Sequence, residues 1–240
     1  MEEHATIFHF LYELGILPKW LPEVIPISWI VIIILGVAAY FSTRKLERLP
    51  GSMQMFGEWV VETFEKFAAG IIGPHGKKFA PFIGSLFLFI LGQNLMIQIP
   101  GFNAPTANAN TTIALAVITF FVVQFSGLSA NGISGYFLHL AGSPKDAVGW
   151  ALFPLMFVLE VIGELAKPLS LSMRLFGNIY GEDAVILILM GIAAHTLYFI
   201  PVHLPMALFA IFGGTVQALV FAMLTCIYLS IMTSHGDEHH

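Results

Sequence analysis

The chain has 240 residues, 57% of them hydrophobic and only 10% charged, with ten Lys and Arg against fifteen Asp and Glu and a formal net charge of -5. Water-soluble domains carry about 25% charged residues, so a mean hydropathy of +0.83 places this chain in a lipid bilayer. The acidic balance argues against nucleic-acid binding, whose footprint is a basic patch, and the lone Cys226 excludes an internal disulfide.

The first 14 residues hold Glu2, Glu3 and Glu13 and no Lys or Arg. That is the wrong sign for the n-region of a signal peptide, so the mature chain is expected to start near residue 1, with 1–23 an extracytoplasmic tail. Residues 24–43 are uncharged, carry Trp29 and Tyr40 near their edges as interfacial anchors, and end at Arg44, Lys45 and Arg48. They predict a first transmembrane helix, since a span needs about 20 apolar residues. In 52–67, Met53, Phe56, Val60, Phe64 and Phe67 recur at helical spacing opposite Glu58, Glu62 and Glu65. This predicts an amphipathic helix lying at the membrane interface within a cytoplasmic segment, 44–78.

Residues 79–144 contain no Asp, Glu, Lys or Arg and are too long for one span. The stretch PGFNAPTANANTT, 100–112, divides them, because Pro, Gly and Asn punctuate helices. Spans are predicted at 79–99 and 111–128, followed by a Gly/Ser-broken cytoplasmic loop, 129–146. Two long helices, about 147–193 and 204–232, then form a hairpin around a turn holding His195, Pro201, His203 and Pro205, and a His-rich tail, 233–240, closes the chain. The predicted fold class is an all-α membrane protein with about five transmembrane helices plus one interfacial amphipathic helix. No run alternates apolar with polar residues as a β-barrel requires. Residues 44–78 hold six of the ten Lys and Arg, so this segment faces the cytoplasm, the N-terminus lies outside and the C-terminus inside.

The longest predicted helix holds charges that a membrane helix normally excludes. An Arg or Lys at a helix centre costs about 2.5 to 3.5 kcal/mol on insertion scales, and such residues mark function. At about 100° per residue, Glu160, Lys167 and Arg174 recur in sevens and fall on one stripe with Asn178. Gly163, Ser170 and Gly177 also recur in sevens beside it, a small-residue track that lets another helix approach closely. Glu160 lies about 21 Å before Arg174 and Glu182 about 12 Å after it along the axis. Acidic groups on both sides of a fixed cation are what two offset aqueous half-paths need. The competing structural reading is that Glu160, Glu164 and Lys167 form helix-surface pairs, Glu164 with Lys167 at i,i+3, and that Arg174 snorkels to an interface.

The string LAKPLSLSMRLFGNIYGE, 165–182, resembles the signature helix of subunit a of F-type ATP synthases, with Lys167, Pro168, Ser170, Arg174, Leu175, Phe176, Gly177 and Asn178 in family register. Similarity continues in GPHGKKFAP (73–81), QNLM (93–96) and VQALVFAMLTCIYLS (216–230). The resemblance implies a non-catalytic stator subunit that conducts protons through two half-channels to and from a ring of c subunits, with the final hairpin against that ring. It implies as partners the c-ring, the b subunits of the peripheral stalk, the rest of the complex and the lipid bilayer, with no cofactor and no metal. Arg174 matches the essential arginine that faces the ring carboxylate. Asn178, Glu182 or Asp183, and Gln217 match outer half-channel positions; Glu160, Lys167 and Ser170 match cytoplasmic ones. Strict family spacing selects Asp183, whereas Glu182 lies closer to the Arg174 face. Ala210 and Asn108 stand where some members carry ionisable residues, so the outer path is expected to rely on Glu182 and Asp183 with help from His195 or His203. A bacterial inner membrane fits the positive-inside bias and compact loops.

Two other classes have a foothold in the sequence. Gly132-Ile133-Ser134-Gly135 fits the G-x-S-G pattern of rhomboid intramembrane proteases, with His195 or His203 as nominal partner, but that reading leaves the Arg174 stripe unexplained. A secondary transporter or channel also lines its path with intramembrane charges, and internal repeats, its usual mark, are not seen. His195 and His203 are too loosely spaced to specify a metal site.

Overall fold

The computed structural model describes residues 21–44, 51–99, 102–140, 147–196 and 203–233, with Pro18 and Glu47 besides. Most of the predicted N-terminal tail, and His235, His239 and His240, lie outside the described residues. Among the described residues the chain is helical throughout, with six α-helices and no strand.

Helix α1, Val24–Thr43, covers the predicted first span. It buries little beyond Ile27 and Val31, which meet Met96, and leaves Trp29, Ile33 and Tyr40 more than half exposed. An uncharged helix this open belongs against lipid, because in water such a surface would be an aggregation site.

Helix α2, Ser52–Ile72, contains the predicted amphipathic segment and runs five residues past it, to a stop at Gly73 in a positive-φ conformation (φ 95°). Its two halves have different partners. Phe64, Phe67, Ile71 and Ile72 pack with the buried Ala68 into a core with Ile83, Val123 and Leu229, Phe64 meeting Phe87 at a ring-centroid distance of 5.2 Å. Met53, Met55, Phe56 and Trp59 remain exposed, which fits an interfacial seat for the first turns. On the polar face, Lys66 Nζ lies 2.7 Å from Glu62 Oε1, and that hydrogen bond and charge hold Glu62 below the usual carboxylate range.

A 3₁₀ turn, Pro74–Phe79, leads into α3, Ala80–Leu95, and together with the next short turn these make a continuous apolar stretch, Pro74–Gln98. A buried connection containing Ala104, Pro105 and Thr106 follows. Helix α4, Ala109–Leu140, extends well beyond the predicted 128. Its Gly/Ser-rich part is a kink: Gly132 has φ 68° and ψ 173°, a region that a residue with a Cβ rarely enters. The kink brings Tyr136 back onto its own helix, where its hydroxyl donates to Gln124 Oε1 at 2.7 Å. Twelve residues of straight helix would separate the two Cα atoms by about 18 Å along the axis, beyond the joint reach of the side chains.

Helix α5, Ala147–Thr196, has 50 residues, about 75 Å at 1.5 Å per residue, and α6, His203–Thr233, returns beside it. Four helical stretches of the described residues are long and apolar enough to cross a membrane: Val24–Thr43, Pro74–Gln98, Ala109–Ile133 and Ala207–Thr233. Of the five spans expected, α5 is the one outside that set; it has the length, and it is the helix that carries the ionisable groups. Its inner face, Leu171, Leu175 and Ile179, packs with Leu86 and Ile90 of α3, Leu115 and Ala116 of α4, and Ala218 and Phe221 of α6 in one continuous core.

Replacing Gly132 by Ala meets no neighbour within 4 Å, so its effect isolates the backbone. This combination of positive φ and extended ψ, essentially confined to glycine, costs a residue with a Cβ about 1–3 kcal/mol. Gly132→Ala is therefore expected to lower the thermal midpoint of the purified complex, whereas Gly70→Ala, also in open space but inside the regular helix α2, is expected to raise it slightly.

Candidate functional site

Helix α5 is two-faced along its central turns. Leu171, Ser172, Leu175 and Ile179 are buried, while Gly163, Leu169, Ser170, Met173, Arg174, Gly177, Asn178 and Tyr180 are exposed. A Cβ built on Gly163, Gly177 or Gly181 would meet nothing within 4 Å. The predicted small-residue track is thus an open strip on the outside of the helix bundle, and Arg174 stands on it. Among the described residues no carboxylate forms an ion pair with Arg174.

From that strip a polar line runs into the seam between α5 and α6. Asn178, four residues after Arg174, places its Nδ2 3.4 Å from Glu182 Oε1, and the Glu182 carboxylate lies against the backbone of Gly213. A Cβ on Gly213 would coincide with Glu182 Oε1, so glycine is what makes room for the carboxylate. Asp183, one residue on, points about 100° further round the helix. On the other flank of α6, Asn94 Nδ2 donates to the Gly214 carbonyl at 2.8 Å, and Thr106 Oγ1 donates to Asn94 Oδ1 at 2.6 Å. Gln217 is also buried on α6. Beside Asn94, Gln93 faces the other way and donates from Nε2 to Ser28 Oγ at 3.0 Å, tying α1 to α3.

The cytoplasmic-side candidates divide. Ser170 is on the open strip and Glu160 is half-buried. Lys167 turns inward to Glu164 Oε1, the i,i+3 pairing set out above as the competing structural reading. That pair is mostly withdrawn from the surface: the Glu164 side chain is 5% exposed and that of Lys167 22%, the other Glu164 oxygen accepts from Gln124 Nε2 at 2.9 Å, and Lys167 Nζ sits 5.5 Å from the Tyr228 ring centroid. Glu164, Gln124 and Tyr136 thus form one network that fastens the kinked end of α4 to α5. A shallow groove lined in part by Thr119, Phe120 and Leu171 opens beside it.

His195 lies in the last turn of α5 and His203 is the first residue of α6; the side chains of both fall outside the described residues. No group of three His, Cys, Asp or Glu that could hold a metal occurs among the described residues. The Gly132 to Gly135 tetrapeptide is the α4 kink, so its first glycine has a conformational reason to be there.

The ATP synthase A chain family matches residues 25–230. The chain belongs to this family. ATP synthase subunit a of Protochlamydia amoebophila strain UWE25 is 37% identical over 99% of this chain and 87% of its own length. The protein of that name from Geotalea daltonii is 39% identical over 95% of this chain and 94% of its own, and that from Trichlorobacter lovleyi 40% identical over 84% and 83%. The match spans the open strip, the Glu182 seam and the Lys167 network together, and membership leaves no role for the protease or transporter alternatives. A subunit a is a membrane component of the ATP synthase that does no covalent chemistry of its own.

Sequence spacing found the strip and missed what packs behind it. Gly213 and Gly214 are signalled by a Gly-Gly pair inside an otherwise bulky apolar run, and Gln124 by an amide at mid-span. Neither signal says which partner the residue meets.

Removing Glu164 should be costly, because Lys167 is left with only the Tyr228 ring and Gln124 loses its acceptor: about 3 kcal/mol. Glu164→Ala is expected to lower the thermal stability of the assembled complex in detergent. The double variant Glu164→Ala/Lys167→Ala is expected to recover part of that loss, since no lone charge remains.

Proposed function

We propose that this subunit a presents Arg174 to the carboxylates of a rotating c-ring and delivers protons to them by two paths that end on either side of that arginine. The observation that carries this reading is the placement of Arg174: a permanent charge on an open, side-chain-poor strip, on a helix whose opposite face is fully packed. A guanidinium stays protonated under all ordinary conditions, and its exposure at membrane depth is expensive unless a partner supplies the counter-charge. The ring carboxylates are that partner, and Gly163, Ser170 and Gly177 let their helices approach.

The physics of the exchange follows. A carboxylate that turns into lipid is neutral, because the ionised form is poorly solvated there; beside Arg174 it is ionised, because a nearby opposite charge lowers its pKa. Arg174 thus separates loaded from empty sites and blocks direct flow between the paths. The work comes from the proton gradient and the membrane potential, about 2.3 kcal/mol per charge per 100 mV.

On the outer side the proton passes by Glu182, with Asn178 between it and Arg174. Glu182 rather than Asp183 takes this role because its carboxylate occupies the α5–α6 seam next to the strip. Gln217 lines the same seam, and His195 supports the outer mouth. On the cytoplasmic side Glu160 and Ser170 lead to the strip, while Lys167 sets the field there through its pair with Glu164. The N-terminus lies outside and the C-terminus in the cytoplasm of a bacterial inner membrane. The lipid-exposed α1 and the first turns of α2 offer the surface for the b subunits.

The strip itself provides a clean test. Gly177→Leu adds a side chain where nothing of this chain lies within 4 Å, so insertion and folding of the subunit are expected to be unchanged. In inverted membrane vesicles ATP-driven proton pumping should be lost, because the added bulk stands where the ring helices approach. Wild-type pumping by this variant would remove the strip as the ring surface.

A further inference from the structure

Resting on the outer-path reading of Glu182, we infer that Asn94 and Thr106 are positioning residues for that carboxylate, acting through the backbone of α6. The two adjacent glycines of α6 are held from opposite sides. Gly213 faces α5, where the space of its missing Cβ is taken by Glu182 Oε1. Gly214 faces α3, where a Cβ would come within 3.0 Å of Asn94 Cβ. The contact on the Asn94 side is directional as well as close, since Asn94 Nδ2 donates to the Gly214 carbonyl at 2.8 Å.

An asparagine amide can turn over and offer its oxygen instead of its nitrogen. Here it cannot do so without loss, because Thr106 Oγ1 donates to Asn94 Oδ1 at 2.6 Å. Asn94 is 3% exposed and Thr106 fully buried, so neither is exchanged for water in the folded protein. Thr106 belongs to the short turn between α3 and α4. The network therefore ties that connection to one carbonyl of α6, 120 residues further along the chain than Asn94, and fixes both the height and the rotation of α6 at the step where Glu182 docks. Neither side chain needs to carry a proton. A backbone displacement of about 1 Å at such a step is enough to cost a functional group much of its activity.

The assembled ATP synthase in inverted vesicles tests this, with proton pumping and ATP hydrolysis followed together. Asn94→Ala and Thr106→Val are expected to slow pumping on the order of ten-fold, and Thr106→Ser, which keeps the hydroxyl, is expected to pump near the wild-type rate. In the double variant Thr106→Val/Glu182→Asp the two losses should not multiply, because both act on one carboxylate position. If Asn94→Ala fails to assemble, the Val and Ser variants of Thr106 decide alone. Multiplying losses, or equal pumping by Thr106→Val and Thr106→Ser, would overturn the positioning role. Glu182→Gln is the separate control: if it pumps normally, the outer-path reading falls and takes this inference with it. If it is defective while Asn94→Ala pumps normally, only this inference falls.

Discussion

A guanidinium cannot be neutralised at membrane depth, and this protein is arranged around that constraint. Other ionisable groups could shed their charge in an apolar setting; arginine does not. Two solutions exist for such a group, an internal counter-ion or an external one. The structure gives the internal counter-ion to Lys167, through Glu164, and leaves Arg174 on the outer strip with no carboxylate paired to it among the described residues. On the proposed function, a subunit built this way is complete only against the ring.

On that proposal, the rest of the packing serves to keep the strip rigid while the ring moves past it. A helix of 50 residues bearing four carboxylates, a lysine and an arginine would not hold its rotation by itself. Three anchors hold it: the apolar face of Leu171, Leu175 and Ile179 in the core, the Glu164–Gln124–Tyr136 network near one end, and Glu182 against Gly213 near the other. The first anchor is non-directional and supplies stability; the other two are polar and specify register. Both polar anchors depend on a glycine, one for a backbone bend and one for an absent side chain.

Much of this was legible in the sequence because charge is so rare in it. The limits of α1 follow from where charges stop and restart, and the strip follows from residues recurring in sevens on one helix. Local periodicity also found the amphipathic helix, though not its division into a core-packed half and an exposed half, which depends on α3 and α6 lying over Phe64 and Phe67. The pairing of Lys167 with Glu164 was open at sequence level only as a helix-surface pair; its withdrawal from the surface rests on Gln124 from another helix reaching Glu164. The Asn94, Thr106 and Gly214 contact was not legible. An uncharged amide in an apolar span has no periodic signature, and its partner is 120 residues away. The kink at Gly132 was visible only as a composition of small residues, which marks a loop and a bend alike.

The central claim is that Arg174 is both the barrier between the two proton paths and the counter-charge of the ring. It is tested most directly by ATP-driven proton pumping in inverted vesicles carrying Arg174→Ala in an otherwise intact complex, with ATP hydrolysis measured in parallel. The prediction is that pumping vanishes while the complex still assembles, and that vesicles stripped of the ATP-hydrolysing part leak protons faster than wild type. Pumping near the wild-type rate, in a complex of normal composition, would contradict it.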